Sequence, residues 1–304
     1  MRLEERPDPA PGSEEILLGA RFAGINTADL AQRAGAYPPP PGAPHDVPGL
    51  EVAGWVVAVG SQVRNFSEGD RVFGLVGGGG LADRVVVHER HVTRVPDVLT
   101  DDEAAAVPEA FITAHDALVT QAELGMGDVL LVNGANGGVG TAAVQVGVAA
   151  GARVFASARS GLERLAALGA EPVAPDAAVG RVQAAGGADV VLELVGAPNL
   201  DGDLDALATK GRIMIVGTGA GAEGALSLRK LMGKRARLFG TVLRVRPLEE
   251  KARAVQAFAH DAVPLFDAGR LQAIVDRIFP AEEAADAFDH MAASGKFGKV
   301  LLAF

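Results

Sequence analysis

The chain has 304 residues, 49 % of them apolar, which supplies enough buried surface for two domains and excludes a disordered chain. Its 38 acidic against 28 basic residues give a net charge of −10, which argues against general binding of nucleic acid or an anionic membrane. There is no cysteine, so disulfides and thiolate zinc sites are excluded, and no run of about eighteen apolar residues predicts a transmembrane helix.

The N-terminal MRLEERPDPAPGSEE lacks the apolar core of a signal peptide, and a cytoplasmic location is expected. The first third then reads as short strands bounded by Gly, Pro, Asp and Asn: EILLGARFAG, EVAGWVVAVG, DRVFGLVG, LADRVVVHE and VTRVP. One short helix is predicted from Thr27 through ADLAQR. PPPPGAP, at 38–44, reads as a stiff extended loop. Thr100 opens another helix, with Glu103 at capping-box spacing. From 128 the texture changes to alternating strand and helix, with strands predicted at 128–133, 152–156, 171–174, 188–193, 211–217 and 236–242. That alternation implies a parallel sheet covered on both faces. A long helix is predicted at about 247–268, then a strand (AIVDRIF), a helix (AEEAADAFDHMA) and a last strand (GKVLLAF).

The strand at 128–133 runs into NGANGGVG, where Asn136, Gly137, Gly138, Val139 and Gly140 lead into a helix. A strand-to-helix turn aims free backbone N–H groups and a favourable dipole at an anion, and glycines let a pyrophosphate approach the backbone. Ala135 stands where the dinucleotide pattern places its first glycine, so the βαβ context carries the reading. After the second strand of this region the sequence is ASARSGLER, with no acid to hold ribose hydroxyls. Arg159, Ser160 and Arg164 match a 2′-phosphate instead, which favours NADPH over NADH. A solvated arginine at a helix start is the other reading.

NGANGGVGTAAVQ resembles the cofactor loop of the zinc-free quinone oxidoreductases of the medium-chain dehydrogenase/reductase superfamily. AGINTADLAQRAGAYPPPPGAPHDVPGLEVAG, PEAFITAHDAL and LRKLMGKRARLFGTVLRVRPLEEKA resemble the branch containing the tumour-suppressor-induced quinone oxidoreductase. The tail VDRIFPAEEAADAFDHM is similar too, so the resemblance spans nearly the whole chain. It implies an α/β protein with two domains. The first is a GroES-like β-rich catalytic domain at 1–113 with 269–304. The second is a Rossmann NADP(H)-binding domain at 114–268 with a doubly wound parallel sheet. It also implies a homodimer joined by edge strands of the Rossmann sheets, here 237–243. The basic run at 229–237 reads as a solvated helix end near this edge.

By the same resemblance, Asn26 and Leu50 occupy positions where zinc alcohol dehydrogenases carry Cys and His, and neither suits zinc. His88 and His91 have ligand spacing but no third partner, so no metal is expected. Without a Lewis acid the acceptor is expected to be one that spreads developing charge, a quinone or conjugated enone. Asn26 and Tyr37 match polar residues lining the substrate site. Tyr37, the only tyrosine, can donate to a carbonyl oxygen. Asn26 can donate from its amide or merely cap the helix that follows it. Thr113 resembles a residue near the nicotinamide, and Gly196, Gly217, Phe239 and Gly240 align with turns facing the cofactor. Lys299 lies in the terminal GK pair.

The chain departs from the family where a tyrosine often follows the third strand of the Rossmann domain; here the region is AEPVAPDAA. Leu81 and Arg84, in GGGGLADR, stand where relatives carry aromatic residues. The expected activity is NADPH-dependent reduction of a small quinone or related conjugated carbonyl. The alternatives are an NADPH-binding sensor or structural protein, and a biosynthetic enoyl reductase.

Overall fold

The computed structural model describes residues 1–304. Its strands are β1 (Glu15–Ile25), β2 (Glu51–Val59), β3 (Arg71–Leu75), β4 (Arg84–His88), β5 (Val92–Arg94), β6 (Val129–Asn133), β7 (Arg153–Ser157), β8 (Glu171–Val173), β9 (Ala188–Glu193), β10 (Leu207–Ile215), β11 (Arg237–Gly240), β12 (Val275–Pro280) and β13 (Lys299–Ala303). They form two sheets, and the chain divides into two compact units: Met1–Ile112 with Leu243–Phe304, and Thr113–Val242.

The first unit is β-rich. Its sheet runs β12-β13-β1-β2-β3-β5, with β4 also paired to β1. Pairing is antiparallel except between β12 and β13. β4 alternates buried and half-buried residues, as an antiparallel strand with one face in the core does. Ile16, Leu18, Val52, Val56, Val72, Val85 and Val87 fill one core. A second core joins Ile25 and Val300 to Phe288 of the helix Ala284–Ala292. The helix Thr27–Arg33 starts where Asp29 turns back to accept the Asn26 N–H at 2.8 Å. The Thr100 N–H finds Glu103 in the same way at 2.9 Å.

The second unit is a six-stranded sheet in the order β11-β10-β9-β6-β7-β8, parallel throughout. That is the doubly wound order, with its switch point between β6 and β9. Burial in β6 and β9 is nearly continuous, as a sheet covered on both faces requires. Leu131, Phe155, Val191, Leu204 and Ile213 form its core with the flanking helices.

The structure differs from the expected elements in three places. The expected helix at 247–268 is two, Leu248–Asp261 and Val263–Asp267, because Pro264 has no N–H to continue the first. β10 starts at Leu207 rather than 211, with Lys210 at φ 69° and a register shift between Leu207 and Arg212. Residues 243–268, expected with the second unit, pack within the first. Phe258 lies against Phe73 with ring centroids 6.2 Å apart, and Phe266 against Phe111 at 5.0 Å.

Candidate functional site

In the second unit, Gly137 is the N-cap of the helix Gly138–Ala149, directly after β6. Gly134 and Ala135 donate to Ser157 O at 3.0 Å each, which ties the turn to the end of β7. A Cβ on Gly140 would overlap Gly134 O and the Ala135 backbone, so only glycine lets the helix start this close to the turn. The first-turn N–H groups of a helix have no intrahelical acceptors, and with its dipole they favour an anion here. Asn136, Gly137, Gly138, Val139 and Gly140 therefore form one continuous cradle.

The other residues expected at the cofactor all lie in this unit. Because the strands are parallel, the turns after β6, β7, β9, β10 and β11 share one edge of the sheet. Asn136 Nδ2 donates to Ser160 Oγ at 3.3 Å, which joins the cradle to the tip of β7. Arg159 and Arg164 are exposed beside that tip. Gly196 sits at φ 127°, where a side chain would be strained and would collide with Gly221. A Cβ on Gly217 would meet the Leu194 backbone, so the turns after β9 and β10 are in backbone contact. Phe239 and Gly240 end β11, three strands from β6. Thr113 is 7 % exposed and its buried hydroxyl has no partner.

A carboxylate cluster lies beneath this edge. Glu193 is fully buried and accepts the N–H groups of Val195 at 2.5 Å and Gly196 at 2.7 Å, which fixes the Gly196 turn. Its other oxygen accepts Asn133 Nδ2 at 2.7 Å and Asn199 Nδ2 at 3.0 Å. Asn133 also donates to Asp203 at 2.7 Å. Burial and the neighbouring Glu193 push the Asp203 carboxyl up to about 8.

In the first unit, Asn26 is 9 % exposed and its amide is committed. Nδ2 donates to Glu51 Oε1 at 2.8 Å, and Oδ1 accepts Lys299 Nζ at 2.5 Å. Lys299 also pairs with Glu51 Oε1 at 2.5 Å, both side chains buried. Glu51 Oε2 accepts the Glu109 N–H at 2.9 Å, and Asp29 accepts the Gly49 N–H at 2.8 Å. Burial pushes Asp29 up to about 6. It pushes Glu109, carried on the π-helical turn Pro108–Ile112, up to about 8, with Glu51 adding to the shift.

Tyr37 is half-buried in the loop after the helix Thr27–Arg33. The guanidinium of Arg244 lies over its ring, 4.9 Å from the centroid. His88 and His91 are both half-buried rather than on the surface, with rings 5.5 Å apart. Burial lowers His91 to about 4, and its Nε2 lies 3.2 Å from Leu248 O, so it is neutral near pH 7. No three His, Asp or Glu side chains gather to hold a metal ion.

The sequence reading passes over Glu51, Glu109, Arg244 and Lys251, and in the second unit Glu193 and Asp203. A charged residue inside an apolar strand, as in LEVAG and VVLEL, is the one local signal that points to two of them.

Two family models match the chain: an alcohol dehydrogenase GroES-like domain over residues 12–97 and a zinc-binding dehydrogenase over 168–302. A quinone oxidoreductase of Lama guanicoe is 32 % identical, covering 97 % of this chain and 90 % of its own. The solved quinone oxidoreductase of Thermus thermophilus, described also in complex with NADPH, superposes with a TM-score of 0.85 at 33 % identity, covering 100 % of this chain and 96 % of that one. The CurK enoyl reductase superposes with a TM-score of 0.83 at 26 % identity, over 99 % and 94 % of the two chains. With a GroES-like unit, a doubly wound unit and full-length quinone oxidoreductase relatives, this chain belongs to the medium-chain dehydrogenase/reductase superfamily, among its quinone oxidoreductase-like members.

Proposed function

We propose that this oxidoreductase uses NADPH to reduce a quinone or related conjugated carbonyl, without zinc. The observation that carries the reading is the glycine cradle at the switch point, tied through Asn136 to Ser160 with Arg159 and Arg164 alongside and no carboxylate at the tip of β7. The cradle fits a pyrophosphate because Gly140 leaves no room for a Cβ, and the tip fits a 2′-phosphate because Arg159, Ser160 and Arg164 follow β7 with no carboxylate at its end. When bound, NADPH supplies the hydride. The backbone N–H groups of 138–140 bind its pyrophosphate, and Arg159, Ser160 and Arg164 select its 2′-phosphate. Thr113, with its unpartnered hydroxyl, is assigned to the nicotinamide end, and Gly196, Gly217, Phe239 and Gly240 border the cofactor. In the first unit Tyr37 donates its phenol proton to the substrate oxygen that gains charge. Asn26, its amide spent on Glu51 and Lys299, orders the polar floor.

The zinc-free part of the proposal is supported by Asn26 and Leu50, which offer an engaged amide and an alkyl group. We further assign the protein to the cytoplasm, on its lack of cysteine; no helix is long and apolar enough to cross a membrane. A homodimer through β11 is supported by that strand's edge position and by exposed Leu238 and Val242.

The test is NADPH oxidation with an ortho-quinone, a para-quinone and a simple enone in parallel, with NADH as control. Rapid quinone-dependent loss of NADPH is expected, with NADH much slower. Turnover of the enone alone would favour the enoyl reductase reading, which the CurK likeness supports. Tight NADPH binding with no turnover on any acceptor would overturn the proposal in favour of a sensor or structural role.

A further inference from the structure

Arg244 is 4 % exposed, yet no carboxylate is in salt-bridge contact with it. Its fork is spent on neutral oxygens of three chain segments. Nε donates to Gly77 O at 2.8 Å, Nη1 to Tyr37 O at 3.0 Å, and Nη2 to Gln32 Oε1. Its own carbonyl accepts Lys251 Nζ at 3.0 Å, and Lys251 is 5 % exposed. The guanidinium therefore fixes the loop after β3, the proline loop carrying Tyr37 and the helix Thr27–Arg33 at one point. Neutral donors would make the same bonds without bringing a charge out of water, which is costly. The charge is spent where it points, on the face of the Tyr37 ring.

We propose that Arg244 is the positioning residue of the reduction: it holds the Tyr37 loop and, against the opposing carboxyl of Glu109, sets how strongly the phenol donates to the substrate oxygen that gains negative charge. The inference rests on the reductase reading above. The surrounding charges agree with it. Burial pushes the Tyr37 phenol up, Arg244 pulls it back down, and the Glu109 carboxylate pushes it up. The groups facing Arg244 are Tyr37, Asp29, Glu109 and Lys251; those facing Glu109 also include Glu51 and Lys299. Both Asp29 oxygens accept backbone N–H groups and Glu51 engages Lys299, so neither neutralises Arg244 by contact. A phenol that ionises more readily is a stronger hydrogen-bond donor in its protonated form.

The chain has one tyrosine, so phenolate absorbance of the whole protein reports Tyr37 alone, without cofactor or acceptor. After rapid mixing to alkaline pH, Arg244→Met is expected to raise the phenolate midpoint by about one pH unit, and Glu109→Gln to lower it by roughly half a unit. In enone reduction at pH 7, Arg244→Met and Tyr37→Phe are each expected to lower kcat about tenfold with KM for NADPH unchanged. The double variant should be no slower than Tyr37→Phe, because the two residues act through one proton. An unmoved midpoint in Arg244→Met overturns the proposal, as does an equal loss of rate from Arg244→Met in the Tyr37→Phe background. Should Arg244→Met fail to fold, Glu109→Gln decides alone, and a midpoint that does not fall overturns the proposal. A wild-type protein that oxidises NADPH with none of the acceptors fails the reductase reading, while the midpoints still judge the coupling of Arg244 to Tyr37.

Discussion

The glycine cradle of the second unit and the polar floor of the first handle charge in opposite ways. The cradle offers backbone N–H dipoles at a helix start and buries no ionised side chain of its own. The floor buries Lys299, Glu51, Asp29 and Arg244 together, each costly to remove from water and each held by a specific partner. The difference teaches where each unit is vulnerable. The cradle is broken by added volume. The floor is broken by loss of a partner and changes with pH.

The largest effect is expected at the buried pair. Lys299→Met removes the counter-charge of buried Glu51 and should cost about 3–5 kcal/mol of stability. Denaturant unfolding measures this, and adding Glu51→Gln should recover most of the loss. If Lys299→Met alone unfolds at the wild-type midpoint, the floor is not held by its charges.

On the cradle side the two halves separate by cofactor. Gly140→Ala should weaken NADPH and NADH alike, by about tenfold or more, because its Cβ displaces the turn that both share. Arg159→Ala should weaken NADPH by about tenfold, roughly 1.4 kcal/mol, and leave NADH unchanged. Calorimetric titration of each variant with both cofactors is the measurement. Equal losses in Arg159→Ala would remove the 2′-phosphate assignment.

The same contrast explains what can be read from the sequence. The cradle is local: a single short stretch contains the strand end, the glycines and the helix start, and its partner tip lies one crossover away. The parallel sheet follows from the strand–helix alternation, and its doubly wound order is what the family resemblance implies. The floor is assembled from residues far apart, Lys299 and Glu51 being 248 positions from each other, so no spacing rule could join them. Asn26 shows the limit well. Its residue type is compatible with donor or cap, and only the positions of Glu51 and Lys299 reveal where its amide is spent. Arg244 is hidden for another reason. The family resemblance assigns the span at 243–268 to the other unit, which puts its side chain in the wrong neighbourhood, and the packing of Phe258 and Phe266 decides that boundary.

The effect most specific to the floor follows from Glu109. Its carboxyl is raised from an ordinary 4.5 to about 8, first by burial and then by Glu51, with Lys299 and Lys251 opposing. A raised acid means that the folded state holds its proton more tightly than the unfolded chain. Between pH 4.5 and about 8 the unfolded chain gives up this proton while the folded protein keeps it, so stability falls as pH rises through that window. Above about 8 the folded state carries an ionised carboxylate in this half-buried setting and the penalty is complete. Glutamine has the same shape and no proton to lose. Glu109→Gln should therefore nearly match the wild type in thermal unfolding at pH 5 and exceed it at pH 9, with the gap opening between them. An advantage of constant size across the range would mean that packing, not ionisation, sets it. Gly140→Ala, which removes no titrating group, is the control.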